Sequence, residues 1–222
     1  MPGPGIYGSP QRGHLYPNWS LGARYRGSST LVHFITADLW GHPPPLFFEG
    51  TAIHLSDRNL FANVFGDSYH QWVAAMLESG EIDLLRLVPF DEYFHCRSDF
   101  RVDMLAASFV GFLIEAHGIG ALKVFFKTFI APSSNLPTID LRRPLAHAYQ
   151  QTFAALEQSW RAFLAKQMRS EKAMKHLAKY VPPARQDEPR CRYCGTVVRA
   201  DATDCSECHS IRTGGQIVQI DI

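Results

Sequence analysis

Apolar residues recur at helical spacing from about Ser28 to Tyr180, and the pattern changes at both ends of that stretch. Ser28 or Ser29 can cap a first helix running to about Trp40, where Gly41 and the Pro43–Pro45 run stop it. A second helix is predicted over Leu46–Leu55, with others over Ser68–Ser79, Asp99–His117, Ile119–Ile130 and Asp140–Phe153. In Asp99–His117 the apolar face is Met104, Phe109, Phe112 and Leu113, and Gly118 and Gly120 separate it from the next helix. The last long helix, Ala154–Tyr180, has Leu156, Trp160, Phe163, Leu164 and Met168 as its stripe. Beyond Met168 it turns basic and polar, so its end is expected to project into solvent. The chain thus divides into an irregular Gly-, Pro-, Arg- and Ser-rich segment at 1–28, a helical domain at 29–180, a proline-bearing charged linker at 181–190 and a small β unit at 191–222. One short extended piece is predicted near Leu15–Leu21. The fold class is mainly α.

With 222 residues, the chain can bury one sizeable core and carry a small appendage. Its 46% apolar and 19% charged content are those of a globular protein. A net charge of +1 gives no strong signal for nucleic acid or a membrane surface as partner. The apolar run at Ala106–Ile114 is too short to span a membrane, so no membrane span is expected. The opening MPGPGIYGSPQRG lacks the apolar core of a signal peptide, and a cytoplasmic location is the expectation. In that compartment clustered cysteines point to metal before disulfide. Four of the five cysteines form two C-x-x-C pairs, and the fifth, Cys96, reads as a partly buried thiol.

The pairs are Cys191 with Cys194 and Cys205 with Cys208, and ten residues, Gly195 to Asp204, lie between them. Four thiolates complete a tetrahedral zinc shell, and each C-x-x-C turn can aim two sulfurs at one ion. Gly195 permits the left-handed turn such a knuckle requires. Thr196–Val198 and Ile217–Ile220 are predicted as strands beside it. A disulfide pair or redox motif is the competing account of these cysteines, and the two-pair spacing favours one structural zinc. The segment resembles the short bacterial zinc-ribbon family, with His209 standing where that family has a second glycine. A closed four-sulfur shell leaves no position for substrate, which implies a structural site and a docking role toward another macromolecule.

The stretch SSTLVHFITADLWGHPPPLFFEGTAIHLSD carries a second pattern. Glu49-Gly50-Thr51-Ala52 follows the aromatic pair Phe47-Phe48, and His33 stands sixteen positions before Glu49. This resembles the two-helix unit of gluzincin metallopeptidases. There an H-E-x-x-H helix supplies two zinc ligands and a general base, and a glutamate on the next helix supplies the third ligand. The sequence from Ser108, SFVGFLIEAHGIGALKVFFKTF, is similar to the following helix pair, and LEQSWRAFL from Leu156 to the closing helix. The resemblance spans Ser29 to Lys166 and implies a multi-helix gluzincin-like domain.

The departures from that family lie in its chemistry. With His33 as second histidine, Ser29 replaces the first and Thr30 replaces the catalytic glutamate. In the other register Phe34 and Ala37 replace the glutamate and second histidine. Neither hydroxyl is a good zinc ligand or a base at neutral pH. His33 and Glu49 remain as a vestigial metal pair, or as a hydrogen-bonded polar pair between packed helices. A second zinc is expected only if that pair is occupied. His42 and His54 could substitute as ligands, yet neither stands four positions from His33. Asp91, Glu92, His95 and Cys96 read as a solvated loop, and the basic run Arg169–Tyr180 as a solvated helix end.

Two functions are consistent with these residues. The first is a non-catalytic binding or scaffolding module with a protein as partner. The second is a zinc-dependent peptidase using His33 and Glu49 in a non-standard ligand set.

Overall fold

The computed structural model describes residues 23–56, 68–79, 83–89, 92–93, 96, 99–130, 139–179 and 220–222. The described residues are mainly helical, with seven α-helices and one two-residue strand pair. The helices are α1 (Ala23–Leu39), α2 (Pro45–Ser56), α3 (Tyr69–Ser79), α4 (Phe100–Thr128), α5 (Arg142–Tyr149), α6 (Phe153–Leu164) and α7 (Glu171–Leu177). The strands are β1 (Ile139–Asp140) and β2 (Ile220–Asp221). The linker and all four C-x-x-C cysteines lie outside the described residues, as do Thr196–Val198, Asp91 and His95.

Helix α2 is the axis of the fold. Every residue from Pro45 to His54 is buried, as expected of a helix apolar on nearly all sides. It packs against α4 on one side and α1 on another. Gly50 makes the α2–α4 crossing possible. A Cβ there would collide with the Ala106 carbonyl oxygen and stand 2.7 Å from Val110 Cγ2. Phe47 fills the same seam, its ring 4.3 Å from Phe125 and 6.0 Å from Phe109.

Helix α4 is the long core helix. Asp99 caps it by accepting from the Arg101 N–H at 3.0 Å, satisfying one first-turn donor. Gly118 breaks its course with φ 80 and ψ 156, values that only glycine adopts readily. By length and composition Arg101–Thr128 could cross a membrane, contrary to the reading that no stretch approaches that length. More than half of its most apolar window is buried inside the fold, the pattern of a core helix.

The helix ends differ from the sequence reading at three places. Helix α1 begins at Ala23, so residues 23–28 are helical rather than irregular, with Ser28 and Ser29 inside the helix. The predicted Asp140–Phe153 helix is shorter. Leu141 precedes α5, Gln150 ends it in the left-handed region at φ 56, and Thr152 caps α6 by accepting from the Ala155 N–H. The predicted Ala154–Tyr180 helix is two helices. After Leu164 the chain turns, and buried Ser170 caps α7 by accepting from the Ala173 N–H at 2.9 Å. The turn lays α7 on α3, burying Ala173 and setting the His176 ring 5.6 Å from Trp72. A straight helix would have left Ala173 and Leu177 in water, and their burial favours the bend. Ile220, predicted as part of a ribbon strand, pairs in parallel with Ile139, and Arg142 Nε donates to the Ile222 carbonyl at 3.1 Å.

Candidate functional site

His33 and Glu49 meet across the α1–α2 contact. His33 Nε2 stands 3.4 Å from Glu49 Oε1, with the two side chains 3% and 1% exposed. Sixteen residues of separation are closed by a tight connection. The Trp40 and Gly41 N–H groups both donate to the Thr36 carbonyl, at 2.8 and 3.0 Å. Gly41 takes φ 114 there, where a Cβ would also press on the Phe126 carbonyl at 3.1 Å. The prolines then start α2, and the Trp40 ring locks the end of α1 to α4, edge-on to Phe126 with Lys123 Nζ above it.

Phe48 shapes the surroundings of the pair. Its ring lies 4.6 Å from the His33 ring and 5.7 Å from that of His42. His42 sits on the connection, its imidazole held below its ordinary pKa by burial first and by His33 second. Thr36, one turn beyond His33, returns its hydroxyl to the Val32 carbonyl at 2.8 Å. Ser29 and Thr30 belong to the same helix, about one turn before His33.

One imidazole and one carboxylate do not make a catalytic zinc site, which takes three protein ligands and an open position. Among the described residues no three His, Cys, Asp or Glu side chains converge to hold a metal ion. His54 does not supply the missing ligand. Its Nδ1 is hydrogen bonded to the Tyr69 hydroxyl. Glu92 faces Arg86 at 3.7 Å, and Cys96 is a half-buried thiol packed against the core.

A second buried polar assembly, absent from the sequence reading, joins α2, α3, α4 and α6. Beside the His54–Tyr69 bond, the Tyr69 ring lies 4.5 Å from His70. His70 Nδ1 is 3.0 Å from Ser108 Oγ, and Trp160 Nε1 donates to the same oxygen at 3.1 Å. His70 Nε2 stands 3.6 Å from Glu115 Oε1. The indole nitrogen can only donate, so Ser108 Oγ accepts from Trp160, and the same hydroxyl is hydrogen bonded to His70 Nδ1. The order serine, histidine, glutamate is that of an acyl-transfer triad, but Ser108 is 0% exposed beneath Trp160 and no substrate carbonyl can reach it. Gly111 belongs to this assembly, since a Cβ there would meet His54 Nδ1 and Tyr69 Oη at 2.9 Å. The only trace of it in the sequence is polar positions 54, 70 and 108 inside otherwise apolar helices.

Neither a family model, nor a curated protein, nor a solved structure gives a match to this chain.

Proposed function

We propose that this chain is a non-catalytic, metallopeptidase-like helical module joined to a structural zinc ribbon, acting as a binding or scaffolding unit. The observation that supports it best is the buried facing of His33 and Glu49 across α1 and α2. These are the two residues that the resemblance puts at gluzincin ligand positions, and their facing supports it. The helix turn before them carries Ser29 and Thr30 in place of a ligand and a base. Hydrolysis by that class needs a metal to polarise the carbonyl and a carboxylate to take the proton from water. The base alone is worth about a hundred- to ten-thousand-fold, so its loss together with a ligand leaves a shell fit for binding. The Cys191, Cys194, Cys205 and Cys208 set supplies the zinc, in a cytoplasmic setting that keeps thiols reduced.

Metal analysis with a peptidase assay tests this reading. One zinc per chain is expected, released in Cys194→Ser, with no chelator-sensitive peptide cleavage. Two zinc ions, with cleavage that disappears in Glu49→Ala, would put a zinc peptidase with a non-standard ligand set in its place.

A further inference from the structure

The net charge of +1 conceals a strong asymmetry. From Lys166 to Arg199 nine lysines and arginines stand against three acidic residues, so the remainder of the chain carries a net −5. A four-thiolate zinc centre, at −2 overall, would offset only part of that excess. The described half of this stretch is a built surface. Lys166, Arg169, Lys172, Lys175 and Lys179 are all exposed, and Glu171 is the one acidic residue among them. Helix α7 orders them. Its inner side is set by Ala173 and Leu177, packed against the core, and by His176 on Trp72. Lys172, Lys175 and Lys179 recur at the three- and four-residue spacing that puts side chains on one face, away from Ala173.

We propose that this face binds the phosphate backbone of a nucleic acid without sequence preference. It deepens the binding-module reading by naming the partner. Lysine ammoniums are compact point charges suited to single phosphates, and a basic run of this length matches an extended polyanion. An anionic bilayer fits less well, because interfacial helices insert an apolar face and that of α7 is already spent on α3. Among the described residues nearby the exposed large apolar groups are two isolated methionines, Met168 and Met174, too few to anchor a protein interface.

The test is fluorescence anisotropy of the full zinc-loaded chain with a labelled 20-nucleotide single strand and a 20-base-pair duplex. With four phosphate contacts, affinity falls about 150-fold for the duplex and about 50-fold for the single strand between 50 and 200 mM salt. The variant K172E/K175E/K179E, changed only at exposed positions, is expected to lose at least tenfold in affinity and to flatten the salt slope. No binding at 50 mM salt, or affinity unchanged in that variant, overturns the proposal. So does variant-sensitive binding to vesicles of 30% phosphatidylserine without binding to either oligonucleotide. The peptidase assay above reads the other proposal separately, so the failure of one is distinguishable from failure of the other.

Discussion

The two polar assemblies in the core are built from similar side chains and work differently. At the α1–α2 contact a histidine and a carboxylate face each other at 3.4 Å, longer than a good hydrogen bond, with the Phe48 ring 4.6 Å from the imidazole. At the α3–α4–α6 junction a serine hydroxyl accepts from an indole at 3.1 Å and is hydrogen bonded to an imidazole at 3.0 Å. The second arrangement runs two hydrogen bonds through one serine oxygen and ties three helices together, as a structural network does. The first brings one ionisable pair together where two helices cross. The difference teaches that burial of polar residues has two causes in this molecule. One is specification of the core, and the other, on our reading, is the residue of a site whose remaining ligands have gone.

The largest test strikes both assemblies together. Gly50 lies on α2 between Glu49 and His54, and its missing side chain lets α4 approach. Gly50→Ala drives a methyl into the Ala106 carbonyl on helices with no room to part. A loss of about 3 kcal/mol is expected, at the upper end of overpacking costs, read from the urea midpoint. If the variant loses less than about 1 kcal/mol, the α2–α4 crossing is looser than these contacts imply. Next comes Ser108→Ala, which strands the Trp160 N–H and removes the His70 partner. Leaving a buried donor unsatisfied costs about 1–3 kcal/mol, so a destabilisation of about 2 kcal/mol is expected. The smallest effect belongs to the other assembly. Replacing His33 and Glu49 together by leucine should leave stability within about 1 kcal/mol of the parent, since a buried polar pair is often exchanged for apolar groups without loss. Glu49→Ala alone should cost more than the double variant. If the double variant instead unfolds the chain, the pair is structural in the same sense as Ser108, and the contrast collapses.

Much of this was legible along the chain because it depends on neighbours close in sequence. The α2 and α3 boundaries, the glycine break in the long core helix and the facing of His33 with Glu49 all follow from local patterns. A run of apolar residues, a glycine free to take φ 80, and a motif spanning one tight connection need no distant partner to be read. The bend before α7 was not legible, because residues 154–180 continue a helical pattern and only burial of Ala173 against α3 makes a turn preferable. The charge asymmetry was in the composition all along, yet a total of +1 hid it until α7 showed which face the lysines occupy.

The sequence by itself determined the helical class, the spacing of its paired cysteines, and the serine and threonine that stand one turn before His33. Each is a statement about residue type and short spacing, which covalent connectivity preserves whatever the fold. Only the tertiary structure decided that Ser108, His70 and Trp160 share one oxygen, that His54 is hydrogen bonded to Tyr69, and that Ile220 returns to pair with Ile139. Those contacts join residues up to eighty-one positions apart. Many partners of the right chemistry exist for each group, and the packing of helices around α2 selects the one that is within reach.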